Sequence, residues 1–203
     1  MSPSISCNIA IYPPAAIRLR AIRFSLKLKA QKGLFVLDDK KFFPHITLYM
    51  TEFPKKNLAA VKVAVQDIAR STKPFPLSAT EYHQQRGFID VRFRKTRALA
   101  DLHARLIQEL NPLREGLLRP RDAARFSQFP KWAQRNLRRY GYDYVFDRFP
   151  PHLTFSKLGE PQARITVLPS KSDFTFRPSE MALFRSAEHG TCRQMLARFS
   201  LKK

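Results

Sequence analysis

The chain predicts an α+β fold of mostly antiparallel sheets with flanking helices, arranged as two lobes around a central groove. Three observations carry this reading. Strand-like alternation and helical periodicity are interleaved without the strand–helix–strand repeat of a doubly wound parallel sheet. One hairpin is written locally, residues 75–82 and 88–93 flanking Gln84-Gln85-Arg86-Gly87. Two short segments, Pro44-His45-Ile46-Thr47-Leu48 and Pro151-His152-Leu153-Thr154-Phe155, repeat one pattern in the two halves of the chain, as facing pseudo-duplicated lobes would.

In order along the chain, residues 6–12 read as a first strand, stopped by Pro13-Pro14. Residues 15–29 fit two periods. Ala15, Leu19, Ile22 and Leu26 form a helical stripe, whereas Ile22, Phe24, Leu26 and Leu28 alternate as a strand would. The position between two strands favours the helix. Residues 46–50 form the strand of the first motif, and Pro54 opens a helix with Leu58, Val61, Val65 and Ile68 on one face. After the hairpin, Leu99, Leu102, Leu106 and Leu110 mark another helix. Residues 111–141 read as irregular helix dense in arginine, and residues 152–157 as the second motif strand. Strands at 174–177, 181–186 and 193–201 close the chain, the last two joined by a turn at Glu188-His189-Gly190-Thr191. No linker or low-complexity stretch divides it, so residues 1–203 are expected to form a single bilobal domain.

The apolar fraction of 44% is that of a globular protein, but 37 Lys+Arg against 16 Asp+Glu leave a net charge of +21. Such a surface collects anions, and nucleic acid, nucleotides or acidic membranes are its natural partners. Cys7 and Cys192 have neither a metal-ligand spacing nor a disulfide framework, which favours a reducing cytoplasm. No apolar run reaches the roughly 20 residues of a membrane span. No acidic residue precedes Asp38, and Arg18, Arg20 and Arg23 cluster there, as in organellar transit peptides; the strand reading of residues 5–12 favours a part of the domain instead.

With 5 histidines and 9 threonines in 203 residues, chance supplies about 0.2 His-x-Thr triplets, so a matched pair is a strong signal. On a strand, residues two apart share a face. His45 with Thr47, and His152 with Thr154, would therefore bring two imidazoles and two hydroxyls to one surface. These are a general acid, a general base and two donors for an anionic oxygen. By the same alternation Tyr49 and Ser156 share the motif faces and are candidates for contact with substrate, Tyr49 by stacking. Lys157 is a further candidate phosphate contact, although its odd offset from His152 requires a bulge or the strand end to bring it round.

The bland alternative, two strand histidines bonded to backbone, explains either motif alone but not the match. A metal site with His83 as third ligand has no HxH, HExxH or carboxylate cluster behind it. His103 reads as a helix-flank residue, and His83 and His189 as exposed. Residues 114–140 interleave Arg119, Arg121, Arg125, Lys131, Arg135, Arg138 and Arg139 with Phe126, Phe129, Trp132 and Tyr140. Those ingredients suit single-stranded nucleic acid and equally a solvated helical face with a few core aromatics.

His45-Ile46-Thr47-Leu48 and His152-Leu153-Thr154-Phe155 resemble the paired signature of the 2H phosphoesterase superfamily, which includes the bacterial RNA 2′,3′-cyclic phosphodiesterases, also called 2′-5′ RNA ligases. The order of elements resembles that family's bilobal fold over almost the whole chain. The resemblance implies a central groove holding both motifs, no metal or other cofactor, and cyclic phosphates or 2′-linked phosphodiesters as substrates. It also favours His45 as the acid for release of the 2′ oxygen, an assignment the residues themselves leave open. The run Arg139-Tyr140-Gly141-Tyr142-Asp143-Tyr144 leading into Arg148-Phe149-Pro150-Pro151-His152 resembles a bacterial subgroup associated with phosphonate operons. One departure stands out: many RNA cyclic phosphodiesterases carry arginine three residues after the second threonine, where this chain has Lys157. A point charge there replaces a bidentate fork and leaves the substrate subclass open.

The expected function is a metal-independent phosphodiesterase that opens 2′,3′-cyclic phosphates at RNA ends or on nucleotides, with 2′-5′ ligation as the reverse reaction. The alternative is an RNA- or nucleotide-binding module without turnover. Expected partners are RNA or nucleotides, with no membrane, for a monomer.

Overall fold

The computed structural model describes residues 3–202 and contains two antiparallel sheets. The first has the order β2 (Ile46–Pro54), β1 (Ser4–Ile11), β6 (Glu180–Ser186), β7 (Cys192–Ser200). The second has the order β3 (Ala79–Gln85), β4 (Phe88–Phe93), β5 (His152–Lys157). The α+β expectation holds, and every strand pairing among the described residues is antiparallel. The lobes are not successive halves of the chain, however. Both chain ends contribute to the first sheet and the middle of the chain builds the second.

Helix α1 (Ala15–Lys29) confirms the helical reading of that segment but turns a different face inward. Ile17, Ala21, Phe24 and Leu28 are buried, while Leu19 and Leu26 of the expected stripe are 51% and 52% exposed. Both stripes have the same helical spacing, so periodicity does not choose between them. The tertiary partners do. Phe24 meets Phe155 of β5 edge-on at 5.0 Å, and Ser25 Oγ donates to Phe155 O at 2.7 Å while accepting from Leu37 N at 2.8 Å. A helix that lies between two strands of the first sheet thus packs on the second and ties the lobes together.

Helices α2 (Leu58–Ser71) and α3 (Arg97–Leu110) pack on each other and on the first sheet, α2 against β6 and β7 and α3 against β2. Their buried stripes, Val61/Val65/Ile68 and Leu99/Leu102/Leu106/Leu110, are the expected ones. Pro54 closes β2, and a 3-10 turn at Lys55–Asn57 precedes α2. The first hairpin strand begins only at Ala79, after Pro74 and Pro76. Arg86 (φ 52°) and Gly87 (φ 80°) close the hairpin in two left-handed residues, as the strand twist requires. The 111–141 region holds short helices α4 (Pro120–Ala124) and α5 (Lys131–Tyr140) with 3-10 turns between. A short helix α6 (Glu160–Ile165), with Pro161 in its first turn, was signalled only by that proline.

The strand expected at 174–177 is not formed. A 3-10 turn covers Lys171–Phe174, and only a single bridge joins Phe176 to Leu77. Phe174 is buried against Phe155 at 4.9 Å, which bends the chain inward before Pro178 removes the next ladder donor. One hydrophobic core runs through both sheets, with Ile9 and Ile46 from the first and Leu153 and Phe155 from the second. A small separate cluster of Ala10, Tyr12, Phe43, Ala182, Phe184 and Cys192 lies on the other face of the first sheet, beside His45.

Candidate active site

Each motif histidine is anchored in the same way. His45 Nδ1 lies 2.8 Å from Phe43 O, and His152 Nδ1 lies 2.7 Å from Pro150 O. The proline at the intervening position explains the match. It confines the residue before it to an extended conformation, which turns that residue's carbonyl back towards the following side chain. With Nδ1 donating to a carbonyl, Nε2 is the nitrogen left for proton transfer in both rings.

The two motif strands also share a bulge. In β2, Thr47 pairs with Ala10 and Tyr49 with Ile9, so Leu48 is an extra residue. In β5, Thr154 pairs with Asp90 and Ser156 with Ile89, so Phe155 is the extra residue. The irregularity follows the threonine in each case, and alternation breaks there. This corrects the expectation for Tyr49 and Ser156. Both turn away from the motif face into the core, where Tyr49 Oη donates to Tyr140 O at 2.6 Å and Ser156 Oγ to Phe35 O at 2.7 Å. The same bulge brings Lys157 round. Paired with Phe88, it returns to the face of His152 and Thr154, its ammonium 5.0 Å from the centre of the Phe88 ring. Met50 is the matching residue of the first motif, paired with Asn8.

The motif face of the second sheet is laid out in rows by the register. Glu81, Arg92 and His152 form one, His83, Asp90 and Thr154 the next, and Gln85, Phe88 and Lys157 the third. Arg92 and Glu81 are ion-paired at 3.6 Å, and His83 Nδ1 lies 3.3 Å from Asp90 Oδ2. His83 is accordingly half-buried and not free in solvent, whereas His189 is exposed as expected. In the first lobe the neighbours are uncharged. Asn8 Nδ2 donates to Thr47 Oγ1 at 2.9 Å and to Cys192 Sγ at 3.5 Å. The Thr47 hydroxyl proton is therefore free to be donated elsewhere. Sequence reasoning passed over Asn8 and Asp90; the signal for each was a polar residue inside an otherwise apolar strand.

Burial pushes the His45 imidazole down to about 4, against an ordinary value of 6.5. The bond to Phe43 O opposes this, the positive charge of His152 adds to it, and the Gly190 backbone opposes it in turn. The strands that carry the two imidazoles, β2 and β5, are in direct contact. Among the described residues no three His, Cys, Asp or Glu side chains converge as a metal site would require. Cys7 and Cys192 are both buried and free, and burial pushes the Cys7 thiol up to about 12.

His103 is not a helix-flank residue. It is buried, its Nδ1 bonded to Leu48 O at 2.6 Å and its Nε2 accepting from Phe146 N at 2.9 Å. Several arginines of the 111–148 region are turned onto the chain's own aromatic rings. Arg148 lies 4.2 Å over Trp132, Arg138 5.0 Å over Phe126 and Arg139 5.2 Å over Tyr140. Arg119 is paired with Asp122 at 2.6 Å, and Arg114 is buried, donating to Asn111 Oδ1, Leu117 O and Arg138 O. Tyr144 is the exposed aromatic of this region.

Two antiparallel sheets, each presenting a bulged His-x-Thr strand, form the α+β fold that the motifs led us to expect. Solved structures share it: apo LigT of E. coli at 19% identity, TM-score 0.59 and full coverage of both chains. A phosphoesterase matches at 19% identity and TM-score 0.61 over 99% of this chain and 100% of that one. The protein TT0787 of Thermus thermophilus matches at 19% and 0.61 over 98% of each chain. The E. coli protein has also been crystallised with 3′-AMP, with phosphate and with ATP. No curated protein matches the chain. The chain belongs to the family described as "Protein of unknown function (DUF1045)", whose profile matches residues 50–191, a segment that includes the second motif and begins just after the first.

No helix among the described residues is long and apolar enough to cross a membrane.

Proposed function

We propose that this protein is a phosphodiesterase that opens 2′,3′-cyclic phosphates, at RNA ends or on nucleotides, by two-histidine acid–base catalysis without a metal. The observation that carries the reading is the matched pair of imidazoles, each with Nδ1 held by the carbonyl two residues back and Nε2 left for proton transfer. The net charge of +21 suits a polyanionic substrate. The crystallisation of the E. coli relative with 3′-AMP and phosphate supports the same class of ligand.

In this reaction a water attacks phosphorus in line with the departing ribose oxygen. One Nε2 takes the water's proton as the P–O bond forms, and the other Nε2–H protonates the leaving oxygen as its P–O bond breaks. Thr47 and Thr154 donate to the non-bridging oxygens, and Lys157 adds a charge beside Thr154. The low value of His45 favours a neutral ring there, hence His45 as base and His152 as acid. This reverses the assignment favoured by the family resemblance. With a ribonucleotide 5′-hydroxyl in place of water, the same groups serve 2′-5′ ligation.

The test is a panel of 2′,3′-cyclic nucleotides, cyclic-phosphate RNA, 2′-5′ oligonucleotides and ADP-ribose cyclic phosphate, with products resolved by chromatography. Turnover that survives EDTA and is lost in His45→Ala and His152→Ala is the expected result. RNA binding undiminished in both variants, with no cyclic phosphate opened even by the parent, would establish the binding-module alternative.

A further inference from the structure

The two motifs stand on different sheets, so their spacing depends on what joins β2 to the approach of β5. A single buried side chain touches both. His103, on α3, donates from Nδ1 to Leu48 O at 2.6 Å, and Leu48 is the extra residue of the bulge that separates Thr47 from Tyr49. Its Nε2 accepts from Phe146 N at 2.9 Å, in the turn that leads to the second motif. Phe146 has φ 53°, a left-handed conformation that a bulky residue adopts only when held there. Lys95 Nζ secures the same turn through Asp147 O at 2.8 Å. The His103 ring stacks flat on Phe149, centroids 4.0 Å apart and planes 5° apart. The next carbonyl along, Pro150 O, is the one that anchors His152.

We propose that His103 is a positioning residue that sets the spacing between the two His-x-Thr motifs. The inference rests on the proposed two-histidine reaction. A neutral imidazole supplies one donor and one acceptor on opposite edges of a flat ring that can also stack, and no other side chain offers all three. Burial keeps the ring in that state, its value pushed down to about 4. A shift of about 1 Å between catalytic groups can cost about a hundredfold in rate without touching substrate binding.

The experiment compares His103→Phe, which keeps the stacked ring and loses both bonds, with His103→Gln, which keeps one donor and one acceptor. In His103→Phe, kcat is expected to fall by about 10- to 100-fold with KM within about threefold, and His103→Gln to recover much of the loss. A folded His103→Phe with kcat within about twofold of the parent overturns the proposal. If that variant does not fold, His103→Asn is read in its place, since its shorter amide reaches Leu48 O but not Phe146 N. The same fall is expected there, and its absence is equally decisive. If the parent itself opens no cyclic phosphate, the reaction is wrong, and the bridge is read from imidazole NMR instead. Both His45 and His152 resonances should then shift in the His103 variant, unlike in the exposed α2 control Val63→Ala, and unchanged resonances overturn the inference.

Discussion

The strands β2 and β5 are built alike and furnished differently. Each presents proline, histidine and threonine before a bulge, and each bulge turns the second residue after threonine into the core and the third back to the motif face. Around that shared backbone the first lobe sets Asn8, Ala10 and Met50, and the second Phe88, Asp90, Arg92 and Lys157. Both motif histidines are half-buried, but the first surroundings are uncharged and the second charged, with Arg92 and Asp90 paired to Glu81 and His83. The difference bears on how one motif, used twice, could serve two proton roles in the proposed reaction. Backbone geometry holds both rings by Nδ1 in the same way, and burial favours the neutral form of His45.

The comparison breaks most sharply at the histidines. His45→Ala and His152→Ala are each expected to lower kcat by at least about a hundredfold, measured at saturating cyclic nucleotide. Survival of activity in either would remove the paired roles. The threonines come next. Thr47→Val and Thr154→Val should each cost about 10- to 100-fold in kcat, since each deletes a donor to the charge that develops on phosphate. Lys157→Met copies the first lobe into the second. The loss should be about tenfold and fall mainly on KM, with a weaker dependence of kcat/KM on salt.

The proton roles can be separated by pH. If His45 is the base, the acid limb of kcat/KM lies near 4 and not near the ordinary 6.5. An acid limb above 6 would take that role away from His45. Stability carries the same signature. His45 and His103 remain neutral in the folded chain down to about 4, whereas the unfolded imidazoles take up protons near 6.5. Their contribution is therefore complete above 6.5 and is lost as pH falls towards 4, by up to about 3 kcal/mol for each ring. Urea midpoints across that range should fall less steeply in His45→Gln than in the parent.

The smallest effect tests the bulge. Tyr49→Phe removes only the bond to Tyr140 O, so about 1 kcal/mol of stability is expected to go while KM stays unchanged. A raised KM would restore Tyr49 to the groove.

Much of this molecule was legible in residue order. The hairpin at Arg86-Gly87, the leucine stripe of α3 and the limits of β5 follow from local chemistry: turn residues, helical spacing and strand alternation act within a few residues of one another. The paired motifs were legible for the same reason, because proline, histidine and threonine stand within four consecutive residues in each, and each histidine is anchored by the carbonyl only two residues back. The face of α1 was not, since two stripes with one spacing are equivalent until Phe155 and Leu37 are brought against one of them. The places of Tyr49 and Ser156 were hidden by bulges, which depend on how a strand pairs with its neighbour and leave no mark in the strand's own sequence; the offset of Lys157 called for such a bulge without locating it.

The sequence by itself thus determined that two His-x-Thr strands exist and what proton chemistry their side chains allow, because those are local and compositional facts. Only the tertiary structure decided which residues accompany them, that both chain ends form one lobe, and that a buried His103 bonds both Leu48 O and Phe146 N. Each of these depends on contacts between segments tens of residues apart, where burial and hydrogen-bond pairing select among arrangements that are locally equal.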